Sequence, residues 1–168
     1  GEILGQVRGA FEGGSTGPLL DRLFRQALHA GRRARVETAI GESPASVPAA
    51  AAALAQQVFG DLAGRRILLV GAGKMSELTA RNLRSRGAVI EAVANRTEAH
   101  GEALAARVES RSVGLDEIPT LLATADVVVT STSAPGFVID PETASAALRG
   151  RRGRPLLFVD LAVPRDVD

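Results

Sequence analysis

Beyond residue 65 the chain alternates between short, unbroken apolar runs and longer stretches that are apolar on one face. Ile67-Leu68-Leu69-Val70, Val127-Val128-Val129 and Leu156-Leu157-Phe158-Val159 contain no polar position, the pattern of strands covered on both faces of a parallel sheet. The pattern predicts strands at 66–70, 89–94, 126–131 and 156–161, with a short strand or turn near Ser112-Val113. Helical spacing fills the intervals at about 74–86, 98–109, 115–123 and 141–149. Strands alternating with helices imply an α/β fold, a Rossmann-like doubly wound parallel sheet.

The first part of the chain reads differently. A short helix is expected over 2–12, with Ile3, Leu4, Val7 and Phe11 on one face, broken by Gly13-Gly14-Ser15-Thr16-Gly17-Pro18. A second helix follows from about Pro18 to Ala30, with Leu19, Leu20, Leu23, Phe24, Ala27 and Leu28 at helical spacing, and Gly31 is read as its end. Val36 to Ile40 reads as a short extended piece and Gly41 to Ser46 as a loop. Ser46 then caps a helix to about Val58, whose alanines allow close approach to the sheet while Leu54 and Val58 supply bulk. The expected division is a helical segment and connector over 1–40 and a dinucleotide-binding domain over 41–168.

The stretch Val70-Gly71-Ala72-Gly73-Lys74-Met75-Ser76 runs from strand to helix through a Gly-rich turn. Gly71 allows the tight turn. Gly73, without a side chain, lets a pyrophosphate approach the backbone, and the helix beginning near Lys74 offers free N–H groups and a partial positive end. Ser76 replaces the usual third Gly or Ala; it is small enough for close packing, and its hydroxyl is a candidate phosphate donor. Alone, this spacing is a weak signal. The next strand strengthens it. An NAD site usually carries Asp or Glu there, about 20 residues on, to bind the ribose 2′-hydroxyl. Here the residues are Asn95, Arg96 and Thr97. Asn does not repel a 2′-phosphate, Arg96 offers a planar cation, and Thr97 is placed to cap the following helix. This favours NADPH. Ser131 and Thr132, at the end of the fourth main strand, lie on the same rim of such a sheet.

Composition narrows the classes. The chain has 168 residues, 45% of them apolar, enough for one cored domain with an appendage. A net charge of +1 argues against a general nucleic-acid grip. With no Cys there is no disulfide framework, thiolate metal site or Cys nucleophile among these residues. His29 and His100 lie on separate helical segments and read as exposed helix residues; no metal site is expected. Arg32, Arg33 and Arg35, and then Arg149, Arg151, Arg152 and Arg154, read as solvated faces or helix-end charges, the first group also as a candidate phosphate contact. No apolar run is long enough to span a bilayer. Gly1-Glu2-Ile3-Leu4 shows neither a signal peptide nor an initiator Met and reads as a cut edge, with a cytoplasmic setting as the default.

Several segments, in order, carry a resemblance. They are Glu2-Ile3-Leu4-Gly5-Gln6-Val7, Leu23-Phe24-Arg25-Gln26-Ala27, Arg35-Val36-Glu37-Thr38, Gly71-Ala72-Gly73-Lys74-Met75-Ser76, Ala94-Asn95-Arg96-Thr97, Ala125-Asp126-Val127 and Val163-Pro164-Arg165-Asp166. The ordered set is similar to the central part of glutamyl-tRNA reductase and covers nearly the whole chain. The resemblance implies an NADPH-binding domain preceded by the tail of a catalytic domain. In that family a Cys of the catalytic domain takes the glutamyl group from its tRNA as a thioester, NADPH reduces the thioester to glutamate-1-semialdehyde for tetrapyrrole synthesis, and a C-terminal helical domain makes the homodimer. Glutamyl-tRNA is the implied partner, with hand-over to a glutamate-1-semialdehyde aminotransferase. Gln6 and Glu2 are implied contacts for the glutamyl group, although the family's two residues between Gly-Glu and Ile-Leu-Gly-Gln are missing here. Lys74 stands where the family commonly has Glu, either adding charge near the pyrophosphate or as a neutral replacement. The alternatives are an NADP-dependent reductase of the shikimate-dehydrogenase type, against which Lys74 in the phosphate loop forms no Lys–Asp catalytic pair, and a non-catalytic dinucleotide-binding module.

Overall fold

A computed structural model describes residues 2–14, 17–37 and 46–168, without the side chains of 2–4, 35 and 36. It divides into two units, Gly1–Ala45 and Ser46–Asp168. The first unit is a pair of helices, α1 (Glu2–Glu12) and α2 (Pro18–Glu37). Phe24, Ala27 and Leu28 are half-buried, and the Arg25 guanidinium lies 5.1 Å from the centre of the Phe11 ring. Helix α2 does not stop at Gly31. A glycine inside a helix costs about 1 kcal/mol but does not end it. The residues beyond favour continuation, because Arg33 Nε and Nη2 each donate at 2.8 Å to the Glu37 carboxylate one turn later. Val36 is therefore helical rather than extended. The rest of that expected extended piece, 38–40, the loop at 41–45 and the expected 40/41 boundary lie outside the described residues.

The second unit opens with α3 (Val47–Phe59), capped as expected: the Ser46 hydroxyl accepts from Ala49 N–H at 3.3 Å. Its buried face is Ala51, Ala52 and Ala55. Leu54 and Val58 are 43% and 48% exposed, so they do not supply the packing bulk expected of them. Only the alanine face brings the helix backbone close enough to the neighbouring layer.

Strands β1 (Arg66–Val70), β2 (Val89–Ala94), β3 (Arg111–Val113), β4 (Val127–Thr130) and β5 (Leu157–Asp160) form one parallel sheet in the order β3-β2-β1-β4-β5. The crossovers are α4 (Lys74–Arg84), α5 (Glu98–Arg107), α6 (Ile118–Leu122) and α7 (Pro141–Gly150). The expected helix 115–123 splits into a 3₁₀ turn, Leu115–Glu117, and α6. Alternate β1 side chains feed opposite cores. Ile67 and Leu69 join Ala51, Ala52, Ala80, Leu83 and Leu104. Leu68 and Val70 join Ile118, Leu122, Ile139 and Ala147. Each fully buried branched side chain contributes about 1.5–3 kcal/mol, which is why Ile67–Val70 and Val127–Val129 carry no polar position.

Arg151 departs from the solvated cluster read in the sequence. It is 1% exposed. Its guanidinium donates to the carbonyls of Leu122 at 2.7 Å, Ala125 at 2.6 Å, Pro155 at 2.5 Å and Arg154 at 3.2 Å, joining the end of α6 to the end of α7. Burial lowers its pKa, Arg154 adds to that, and Asp126 opposes it.

Candidate functional site

The β1–α4 turn depends on Gly71. Its φ is +99°, and a Cβ there would meet Ser131 O at 2.7 Å. Gly71 N–H donates to Ala94 O at 2.8 Å, tying the turn to the end of β2. Gly73 has extended backbone, and a Cβ would meet nothing nearer than Ser131 O at 4.0 Å. The protein itself does not require glycine there; the space beside it is open to a ligand. Glu77 N–H makes the first turn's bond to Gly73 O at 3.1 Å, so the N–H groups of Lys74 to Ser76 precede the helical ladder, as at any helix start.

The side chains of that first turn point elsewhere. Lys74 Nζ pairs with Glu77 at 3.3 Å. Arg81 at 2.6 Å and Arg107 at 3.4 Å pair with the same nearly buried carboxylate. The Lys74 hydrogen bond holds the Glu77 carboxyl below the usual range, with Arg81 and Arg107 adding to it against the opposing effect of burial. Met75 is half-buried. Ser76 is fully buried and shares a hydrogen bond with Ser131 Oγ at 2.7 Å, which corrects the reading of its hydroxyl as a phosphate donor.

At the end of β2, the Asn95 amide donates to Thr97 O at 2.7 Å and Asn95 N–H to Val113 O at 3.1 Å. Arg96 is exposed. Thr97 is the N-cap residue of α5, but its side chain makes no cap hydrogen bond. At the end of β4, Thr132 N–H and Thr132 Oγ1 donate to the Asp166 carboxylate at 2.8 and 2.5 Å. Thr130 Oγ1 donates to Asp160 at 2.9 Å, and Asp160 also accepts from the N–H groups of Ala162, Asp166 and Val167. Burial raises the Asp160 pKa, but these bonds together outweigh it and hold the carboxyl below its ordinary value.

Gly71, Ala72, Gly73, Asn95, Arg96, Thr97, Ser131 and Thr132 line one cavity of about 360 Å³, within the range of small-molecule sites. Lys74, Met75 and Ser76 are not among its lining. His100, Leu115, Ala134 and Val138 are, as is Ser133 next to Thr132; sequence reasoning missed the first four. One signal was available: His100 follows Thr97 by three positions on α5, hence on the same helix face. Gln6 is exposed on α1; the side chain of Glu2 lies outside the described residues. Among the described residues no group of His, Cys, Asp and Glu is placed to hold a metal, and no helix is long and apolar enough to cross a membrane. The open space beside Gly73 and the helix start together suit a dinucleotide.

The Shikimate / quinate 5-dehydrogenase family model matches residues 53–168. A glutamyl-tRNA reductase of Rubrobacter xylanophilus is 51% identical over 99% of this chain, which spans 40% of that protein. The structure of glutamyl-tRNA reductase from Methanopyrus kandleri superposes with a TM-score of 0.72 at 41% identity, covering 99% of this chain and 43% of that one. The nucleotide-binding domain of glutamyl-tRNA reductase from Thermoplasma volcanium, 24% identical, shares the fold with a TM-score of 0.60 over 73% of this chain and 80% of its own. Family and fold support a nicotinamide dinucleotide as cofactor. The chain belongs to the shikimate / quinate 5-dehydrogenase family, and its homologues across nearly its whole length are glutamyl-tRNA reductases.

Proposed function

We propose that this chain is the NADPH-binding part of a glutamyl-tRNA reductase. The observation that carries the reading is a cavity that joins the Gly71–Gly73 turn to Asn95, Arg96 and Thr97, with an amide where an NAD site has a carboxylate. Gly73 leaves room for the pyrophosphate and the α4 N–H groups bind it. Arg96 holds the 2′-phosphate by a charge-assisted contact. Ser131 and Thr132 border the same cavity beside Gly71. When bound, NADPH supplies the hydride that reduces the glutamyl thioester to glutamate-1-semialdehyde, the product that enters tetrapyrrole synthesis. The thioester forms on a Cys of a further domain of the longer protein, since these residues contain none. By resemblance, Gln6 and Glu2 hold the glutamyl group, a C-terminal domain makes the homodimer, and an aminotransferase receives the aldehyde. Lys74, the lysine of the phosphate loop, pairs with Glu77 at 3.3 Å.

The test is turnover of glutamyl-tRNA by the longer protein with NADPH, read as aldehyde formed and NADPH consumed. The 168 residues alone should give neither. Failure of the longer protein overturns the activity; turnover by the 168 residues overturns the thioester route.

A further inference from the structure

We propose that Asp166 fixes the Thr132 hydroxyl as a hydrogen-bond acceptor for an uncharged N–H or O–H donor on the nicotinamide half of the dinucleotide. The inference rests on the dinucleotide reading above and concerns which group of the ligand Thr132 meets.

The argument is a count of valences. A threonine hydroxyl has one proton and two lone pairs. Thr132 gives its proton to the Asp166 carboxylate, and one lone pair accepts from Ala134 N–H at 3.0 Å. One lone pair is left. Asp166 is fully buried, and Thr132 N–H occupies its other oxygen at 2.8 Å. The pair is thereby held in one arrangement. Thr132 lines the cavity, where it can accept but not donate. A phosphate oxygen brings only lone pairs and is refused. The lining groups therefore differ in sign, although Thr132 lies close to the turn, its Cγ2 3.2 Å from where a Cβ on Gly71 would be. The α4 start and Arg96 offer donors and positive charge, suited to phosphates. Thr132 offers an acceptor beside Ala134 and Val138, an apolar wall suited to a flat ring carrying a neutral donor. Two groups on the nicotinamide half fit that description, the carboxamide NH₂ and a ribose hydroxyl.

The experiment measures binding of NADPH, its 3-acetylpyridine analogue and adenosine 2′,5′-bisphosphate to the full chain. In the analogue a methyl group replaces the carboxamide NH₂. One ordinary hydrogen bond corresponds to about twofold to tenfold in affinity. Wild type should prefer NADPH over the analogue by that factor. Thr132→Val should abolish the preference and Thr132→Ser should keep it. Asp166→Asn should also abolish it, because its amide donates to Thr132 Oγ1 and releases the hydroxyl proton. Adenosine 2′,5′-bisphosphate should bind all four proteins alike, reporting an intact fold and phosphate end. If the wild type binds NADPH and the analogue equally, and Thr132→Val weakens both by the same factor, the donor is the ribose hydroxyl. Unchanged binding of both by Thr132→Val, or an unchanged preference in Asp166→Asn, overturns the proposal and leaves the dinucleotide reading standing. A wild type that binds neither NADPH nor the bisphosphate overturns both.

Discussion

The hydroxyls of Ser76 and Ser131 lie 2.7 Å apart, joining the first turn of α4 to the end of β4 across 55 positions of sequence. The third residue of the Gly-rich motif thus ties α4 to the end of β4 beside Gly71. Ser76→Ala removes one hydrogen bond and leaves its partner without this contact, at a cost of about 1 kcal/mol. The melting temperature should fall by about 2–4 °C, with NADPH affinity nearly unchanged. A large loss of affinity at an unchanged melting temperature would show that the hydroxyl meets the phosphates after all.

Arg96 should set the preference for NADPH over NADH. A charge-assisted contact of about 1.5–3 kcal/mol corresponds to roughly tenfold to 150-fold in affinity. Titrating both cofactors against wild type and Arg96→Ala measures it. The variant should lose most of the preference by weakening NADPH, with NADH hardly affected. Equal affinities in the wild type would remove the NADP reading, and an unchanged preference in the variant would move the discrimination to other residues.

The two turn glycines should fail in different ways. Gly71→Ala places a Cβ against Ser131 O at 2.7 Å and at a φ of +99°, so the fold itself is destabilised. Gly73→Val introduces its side chain into open space, where the nearest protein atom to a Cβ is 4.0 Å away. Melting should be near normal and NADPH binding lost. Calorimetry of Gly73→Val beside a thermal melt of each variant separates the cases; normal NADPH binding by Gly73→Val places the dinucleotide elsewhere.

What the sequence made legible was whatever depends on neighbours in the chain. The apolar runs marked the four longer strands because parallel strands covered on both faces are mostly apolar, β3 with its Arg111 and Ser112 read only as a short strand or turn, and Gly71, Gly73 and Asn95–Arg96–Thr97 stood out because their spacing is local. Contacts that join distant segments left no such trace. Ser76 reads as a phosphate donor until Ser131 is brought beside it. Arg151 reads as one of four surface arginines because the carbonyls it binds, those of Leu122 and Ala125, lie 29 and 26 residues upstream. Leu54 and Val58 look like packing residues because hydrophobicity does not reveal which face of a short helix lies near the sheet. Gly31 reads as a stop because propensity cannot weigh the Arg33–Glu37 pairing beyond it.

Arg151 should prove one of the most sensitive positions outside the cavity. Its loss leaves the carbonyls of Leu122, Ala125 and Pro155 without these donors and opens space between α6 and α7. Arg151→Ala should destabilise by about 3 kcal/mol or more. Arg151→Lys should recover only part, since an ammonium cannot reproduce the planar fork. Denaturant titration gives both values. A loss under 1 kcal/mol for the alanine variant would mean that water replaces the guanidinium at little cost.

Asp160 should contribute to the acid limb of stability. The bonds from Ala162, Val167, Thr130 and Asp166 bring its folded-state pKa below the unfolded one, against the opposing effect of burial. The unfolded chain therefore binds the proton more readily. The stabilisation is fully present above the unfolded value, about pH 4, and disappears as pH falls through the lower folded value. Asp160→Asn keeps the shape, removes the titration, and turns an NH₂ toward at least one of the three N–H donors, which loses its acceptor. The variant should be less stable than wild type at pH 6, and the gap should narrow on acidification below pH 4. Urea melts at pH 2 to 7 measure this. Parallel profiles, with a constant gap at every pH, would show that Asp160 titrates alike in both states and that its carboxylate gains nothing from the strand-end hydrogen bonds.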